Sequence, residues 1–134
     1  MLWGEGFEIQ SQFWAGWSDD DRNGATIGKV WREKNYLCDT HTASGWAVAE
    51  DYVNQTGDQR PMVVLSTASP YKFPAAVLEA IGGDTTGDEF TLMERLEKMT
   101  AVPIPGNLSG LRQKPERHLH VIDKNEMLAF VLNL

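Results

Sequence analysis

The spacing of apolar residues changes several times along this chain, and each change marks an element. A Ser18-Asp19-Asp20-Asp21 run precedes Ile27, Val30 and Trp31 at helical spacing. Ser18 suits an N-cap, and carboxylates are favoured in a first helical turn, so a helix is predicted from there to about Asn35. Gly24 and Gly28 each cost that helix ~1 kcal/mol relative to Ala, so it should rely on close packing. Asp39 or Thr40 caps a second helix that ends before Gly57. Ala43, Ser44, Gly45, Ala47 and Ala49 are small, and Trp46, Val48 and Val53 fall on more than one face, which predicts an enclosed helix.

The pattern then shortens. Met62-Val63-Val64-Leu65-Ser66 is a continuous apolar run between turn formers, as in a buried parallel strand. Phe73-Pro74 opens a third helix with Val77, Leu78 and Ile81 toward the core, and Gly82-Gly83 stop it. Glu89 to Met99 reads as an amphipathic helix with Leu92, Met93, Leu96 and Met99 on one side. Val102-Pro103-Ile104-Pro105-Gly106 must be extended, and Leu108 with Leu111 predicts one loose helical turn. His118 to Ile122 reads as a second strand. Asp123 and Glu126 fit a capping box before a last helix with Met127, Phe130, Val131 and Leu134 on one face. Phe7 to Trp14, within a Trp- and Phe-rich start, reads as a short helix or turn whose aromatic surface should be covered. About five helices and two strands some ~50 residues apart do not make a self-sufficient sheet. The pattern predicts an α/β fold in which this chain is a helix-rich piece of a larger sheet; a helical domain with a two-stranded ribbon is the other reading.

Composition narrows the function. The 134 residues form a single segment, 1–134, with a net charge of −7 and a pI near 4.8. That balance disfavours binding to nucleic acid or to an anionic membrane surface. One cysteine, Cys38, excludes a disulfide framework and a multi-cysteine zinc site, and no run of residues is apolar enough for a membrane span. With no signal-peptide pattern, a cytoplasmic location is expected.

Few residues offer chemistry. His118 and His120 would share a strand face, but no clear third metal ligand accompanies them, and a structural or solvent-facing role is favoured. Cys38 lacks a partner and reads as a passive thiol. Asp19 to Asp21 read as a helix start, and the simplest reading of Lys72 is a surface lysine. His41 stands among Asp39, Thr40 and Thr42 at a helix entrance; capping explains Asp39 and Thr42 but leaves His41 as either a site group or a structural one. Ser66, Thr67 and Ser69 place three neutral hydroxyls at a predicted strand end, where ligands of α/β sheets bind. Capping by Ser69 is the alternative there. No Gly-x-Ser-x-Gly elbow is present, so a Ser-His-Asp hydrolase is unsupported.

Several segments together resemble the C-terminal part of the threonine synthase family. They are Gly16-Trp17 before the acidic helix start; Tyr36-Leu37-Cys38-Asp39-Thr40-His41-Thr42-Ala43; Val63-Val64-Leu65-Ser66-Thr67-Ala68-Ser69-Pro70-Tyr71-Lys72-Phe73-Pro74; and Val102-Pro103-Ile104-Pro105 with Leu108, Leu111, Lys114-Pro115 and Glu126-Met127. Thr40 stands where the family has proline, and Ser69 where it usually has histidine.

The resemblance implies a piece of the large cofactor domain of a fold-type-II pyridoxal 5'-phosphate enzyme. That enzyme converts O-phosphohomoserine and water to threonine and phosphate, a carbon-oxygen lyase step in threonine biosynthesis. Thr67, with Ser66, would bind the cofactor, the Thr67 hydroxyl lying near the pyridine nitrogen. Asp39, His41, Thr42 and Lys72 would form the wall of the substrate site. The family's cofactor lysine and glycine-rich phosphate loop have no counterpart in this sequence, so no catalytic residue and no metal ligand are assigned. The chain alone is expected to be inactive and to depend on an upstream part of the same polypeptide. A free-standing, non-catalytic binding domain and the C-terminal part of another fold-type-II lyase are the alternatives.

Overall fold

A computed structural model describes residues 11–117 and 119–133. Its helices are α1 (Asp20–Lys34), α2 (Thr40–Thr56), α3 (Pro74–Ala80), α4 (Glu89–Thr100), the single turn α5 (Gly106–Ser109) and α6 (Met127–Leu132). Short 3-10 turns lie at Pro70–Lys72, Leu111–Gln113 and Lys124–Glu126. Among the described residues there is no strand.

Local chemistry accounts for the helix ends. Asp19, not Ser18, caps α1: its carboxylate accepts the Arg22 N–H at 2.9 Å, and Asp20 and Asp21 occupy the first turn. Asn35 closes α1 in the left-handed region at φ 53°. A Schellman motif ends α3, with Gly83 N–H donating to the Leu78 carbonyl, Gly82 N–H to that of Glu79, and Gly82 at φ 80°. Asp88 caps α4 through the Thr91 N–H. The capping box between Asp123 and Glu126 is present.

α1 packs on α2 and on α3, and α3 packs on α4. The core between them takes Ile27 and Val30 from α1, Leu37 and Cys38 from the following link, Ala43 from α2, Val77 and Leu78 from α3, and Leu92, Met93 and Leu96 from α4. Tyr71 joins this core from the 3-10 turn and donates its hydroxyl to the Val102 carbonyl, fastening the extended Val102–Pro105 segment. On α4 the buried stripe is Leu92, Met93, Leu96 and Thr100, while Met99 is exposed. Thr100 tolerates burial because its hydroxyl donates to the Leu96 carbonyl and accepts the Val102 N–H. A fork from Arg22 onto Asp51, at 2.7 and 2.6 Å, joins α1 to α2 and holds the Asp51 carboxyl below the usual carboxylate range.

Three expectations are corrected here. Met62–Ser66 is neither a strand nor buried: no backbone hydrogen bond joins it to another described segment, and Val63 and Leu65 are 85% and 74% exposed. A strand exists only with a neighbour to complete its ladder, and the described residues supply none. Leu119–Ile122 likewise forms no strand, with Val121 97% exposed; His118 lies outside the described residues. α2 is not enclosed, since only Thr42, Ala43 and Ala47 are buried and its other face is open. Of the expected turn or helix at Phe7 to Trp14, residues 7–10 lie outside the described residues; Ser11 and Gln12 are helical, and Phe13 and Trp14 are exposed and not helical. No described helix is long and apolar enough to cross a membrane.

Candidate functional site

The start of α2 gathers most of the chemistry. Asp39 is extended at φ −82°, ψ 173°, fully buried, and caps the helix. Its Oδ1 accepts the His41 N–H at 2.9 Å and the Thr42 N–H at 3.4 Å, and lies 3.1 Å from His41 Nδ1. Its Oδ2 accepts the Thr42 hydroxyl. Burial pushes this carboxyl up, but the hydrogen bonds from Thr42 and His41 outweigh it and hold Asp39 below the usual carboxylate range. Asp39 is therefore a buried carboxylate held in its ionised form by its neighbours and placed to orient them.

The extended segment reaches this point from the other side. The hydroxyl oxygens of Thr42 and Ser66 lie 3.5 Å apart. Thr42 has one proton, given to Asp39, so its approach to Ser66 is a meeting of two oxygens in which Thr42 can only accept. Phe73 sets its ring 5.1 Å from the His41 ring, centroid to centroid, at a 53° tilt. Asp39, His41, Thr42 and Ser66 are thus brought together. Thr67 and Lys72 are exposed, and neither side chain makes a hydrogen bond or ion pair among the described residues. The division follows strand-like alternation: Met62, Val64 and Ser66 lie toward α2, while Val63, Leu65 and Thr67 are turned to solvent. Ser69 accepts the Tyr71 N–H at 3.3 Å and caps the 3-10 turn, the capping role weighed for it from sequence.

Sequence reasoning missed two features. Phe73 enters the sequence reading as a helix start and as part of the resemblance segment, with no site role, although its place beside Lys72 puts it near the same wall. The second is a cleft of about 720 Å³ along the open face of α2, with Thr42 at its edge and Trp46, Val53, Met62 and Val64 in its lining. Glu50 crosses its rim, accepting from Lys29 at 2.7 Å and Trp46 Nε1 at 3.1 Å. The Trp46/Glu50 spacing of four was the available signal. Cys38 is fully buried and its thiol is pushed up to about 11, chiefly by burial, which suits a passive core residue. No cluster of three metal-ligating side chains occurs among the described residues.

Residues 42–131 match the family described as "Threonine synthase, C-terminal". The chain belongs to that family. Within this threonine synthase family, the chain is 37% identical over 87 residues to threonine synthase of Pseudomonas aeruginosa, covering 63% of this chain and 18% of that protein. It is 41% identical over 58 residues to threonine synthase of Corynebacterium glutamicum, covering 43% and 12%. With mouse threonine synthase-like 1 it shares 27% identity over 120 residues, covering 85% and 15%. The chain thus spans less than a fifth of the length of each of these curated relatives. Thr42, Ser66, Thr67 and Lys72 fall inside the family match, and Asp39 and His41 immediately precede it.

Proposed function

We propose that this chain supplies one wall of the active site of a threonine synthase, acting with an upstream part of the same polypeptide on O-phosphohomoserine and water to give threonine and phosphate. The observation that carries the reading is the family match over 42–131, within which the hydroxyl-bearing segment meets the capped start of α2 through Thr42 and Ser66. The larger α/β cofactor domain belongs to the same proposal: a neighbouring strand would complete the ladder that Met62–Ser66 lacks.

The donor set fits one edge of pyridoxal 5'-phosphate. Thr67 is exposed, uncommitted among the described residues and neutral, so it would leave a pyridine nitrogen largely unprotonated; no side chains among the described residues assemble a cradle for the phosphate group. When bound, the cofactor supplies an electron-accepting ring that stabilises negative charge on the substrate carbons. Thr67 holds the ring-nitrogen edge with a neutral hydroxyl and adds no proton to it. Ser66 is fixed behind it by Thr42, and Asp39 keeps Thr42 and His41 in place. Lys72 offers a cation on the same loop for an anionic substrate.

Cofactor affinity in the complete enzyme tests this. Thr67→Val keeps the shape but removes the hydroxyl, at about 1–3 kcal/mol, so affinity should fall roughly ten- to hundredfold. Thr67→Ser should stay near the parent, and thermal melts should coincide for all three. If Thr67→Val binds cofactor as the parent does, the assignment is wrong.

A further inference from the structure

We propose that His41 is a proton-transfer residue of this site, locked by Asp39 into the tautomer that carries its proton on Nδ1 and turns the Nε2 lone pair outward. The argument begins with Asp39. It is buried, and its carboxylate meets two backbone N–H groups, the Thr42 hydroxyl and the His41 ring. An ionised carboxylate only accepts, so the ring nitrogen 3.1 Å away must carry hydrogen. A neutral imidazole has one N–H, which leaves Nε2 as an acceptor. Two contacts hold the ring, Asp39 at Nδ1 and the tilted Phe73 ring at 5.1 Å between centroids, while the side chain stays 60% exposed. Among the described residues Asp39 is the one charged group in contact with the ring; Thr40 adds a hydroxyl 3.5 Å from Nδ1. Simple capping needs only the backbone N–H groups of His41 and Thr42, so the ring contact is additional to the cap.

The inference rests on the proposed function for its substrate. In that reaction the carbon next to the phosphate-bearing one gains OH from water and gives up a hydrogen, the phosphate-bearing carbon gains a hydrogen as its C–O bond breaks, and the remaining proton of water leaves with phosphate. His41 Nε2 is the station for that proton: it takes the proton from water as the new C–O bond forms, and the imidazolium beside Asp39 returns it to the released phosphate. Atoms and charge balance without a further reactant.

Two measurements test this separately. Nitrogen NMR of the 134-residue chain at neutral pH reads the tautomer directly, with no cofactor or activity needed. We expect Nδ1 protonated in the parent, and the preference weakened in Asp39→Asn. A parent ring with its proton on Nε2 overturns the proposal while leaving the threonine synthase reading standing. In the complete enzyme, His41→Gln should lower kcat by about 10²- to 10⁴-fold with little change in KM, and remove one limb of the pH–rate profile. Unchanged kcat, or a rise in KM alone with the profile intact, overturns the proton role even if the tautomer is as expected.

Discussion

Asp39 shows how much one buried carboxylate organises. It ends the link after Cys38, starts α2, holds the His41 ring and fixes Thr42, which in turn meets Ser66. Removing it leaves buried donors without an acceptor. Asp39→Ala should therefore destabilise the chain by about 2 kcal/mol, at the upper end for loss of an N-cap, whereas Asp39→Asn keeps an oxygen for the cap and should cost less. The pH dependence has a definite sign. The folded carboxyl lies below its ordinary value of 3.8, so its contribution is complete above that value and is lost as pH falls through the lower folded one. Denaturation of the parent and of Asp39→Asn should differ by a constant amount near neutrality and converge below about pH 4. A gap that stays constant into acid would mean that the charge of Asp39 contributes nothing.

Among elements, the contrast between Gly24 and Gly28 is decisive because both sit in α1 and share one helical propensity. A Cβ at Gly28 would lie 2.5 Å from the Ala80 carbonyl oxygen, so that glycine lets α1 approach the end of α3. A Cβ at Gly24 would meet nothing within 4 Å. Gly28→Ala should destabilise by about 1–3 kcal/mol through overpacking, and Gly24→Ala should stabilise by up to ~1 kcal/mol. Equal effects in chemical denaturation would show that the α1–α3 approach is not tight. This pair also marks how far the sequence was legible. The helices, the Gly82-Gly83 stop and the Asp123–Glu126 box were readable because each depends on near neighbours in sequence. Which of the two glycines was packed was not, since Ala80 is more than fifty residues away in sequence from either. The strand at Met62–Ser66 was overread for a related reason: its residues have strand chemistry, but a ladder depends on a partner. At the site, the motif around Asp39-Thr40-His41-Thr42 was visible, whereas the split between Ser66 and Thr67 required knowing which way the extended segment faces.

Across the whole molecule, apolar exposure concentrates on surfaces that an ordinary domain would cover. Val63 and Leu65 stand exposed on a segment whose backbone has no ladder partner among the described residues, and Trp17 is 79% exposed. Leu128, Val131 and Leu132 on α6, at 72%, 62% and 74%, add a second apolar face. An extended apolar segment with free backbone groups is a template for pairing, and the relatives hold more than four fifths of their length outside the region matched here. A net charge of −7 opposes association only weakly at physiological salt, where the Debye length is ≈ 8 Å. The chain by itself should therefore self-associate at micromolar concentration. Val63→Lys combined with Leu65→Lys should shift it toward monomer, because these side chains are solvent-facing and charge on an unpaired edge blocks strand addition. Sizing with light scattering reads both states, and helicity by circular dichroism should be alike in the two, since neither residue belongs to the buried core. A parent that runs as a monomer with a sharp cooperative melt would show instead that the four packed helices α1–α4 are self-sufficient, and that the exposed segment is tolerated rather than waiting for a neighbour.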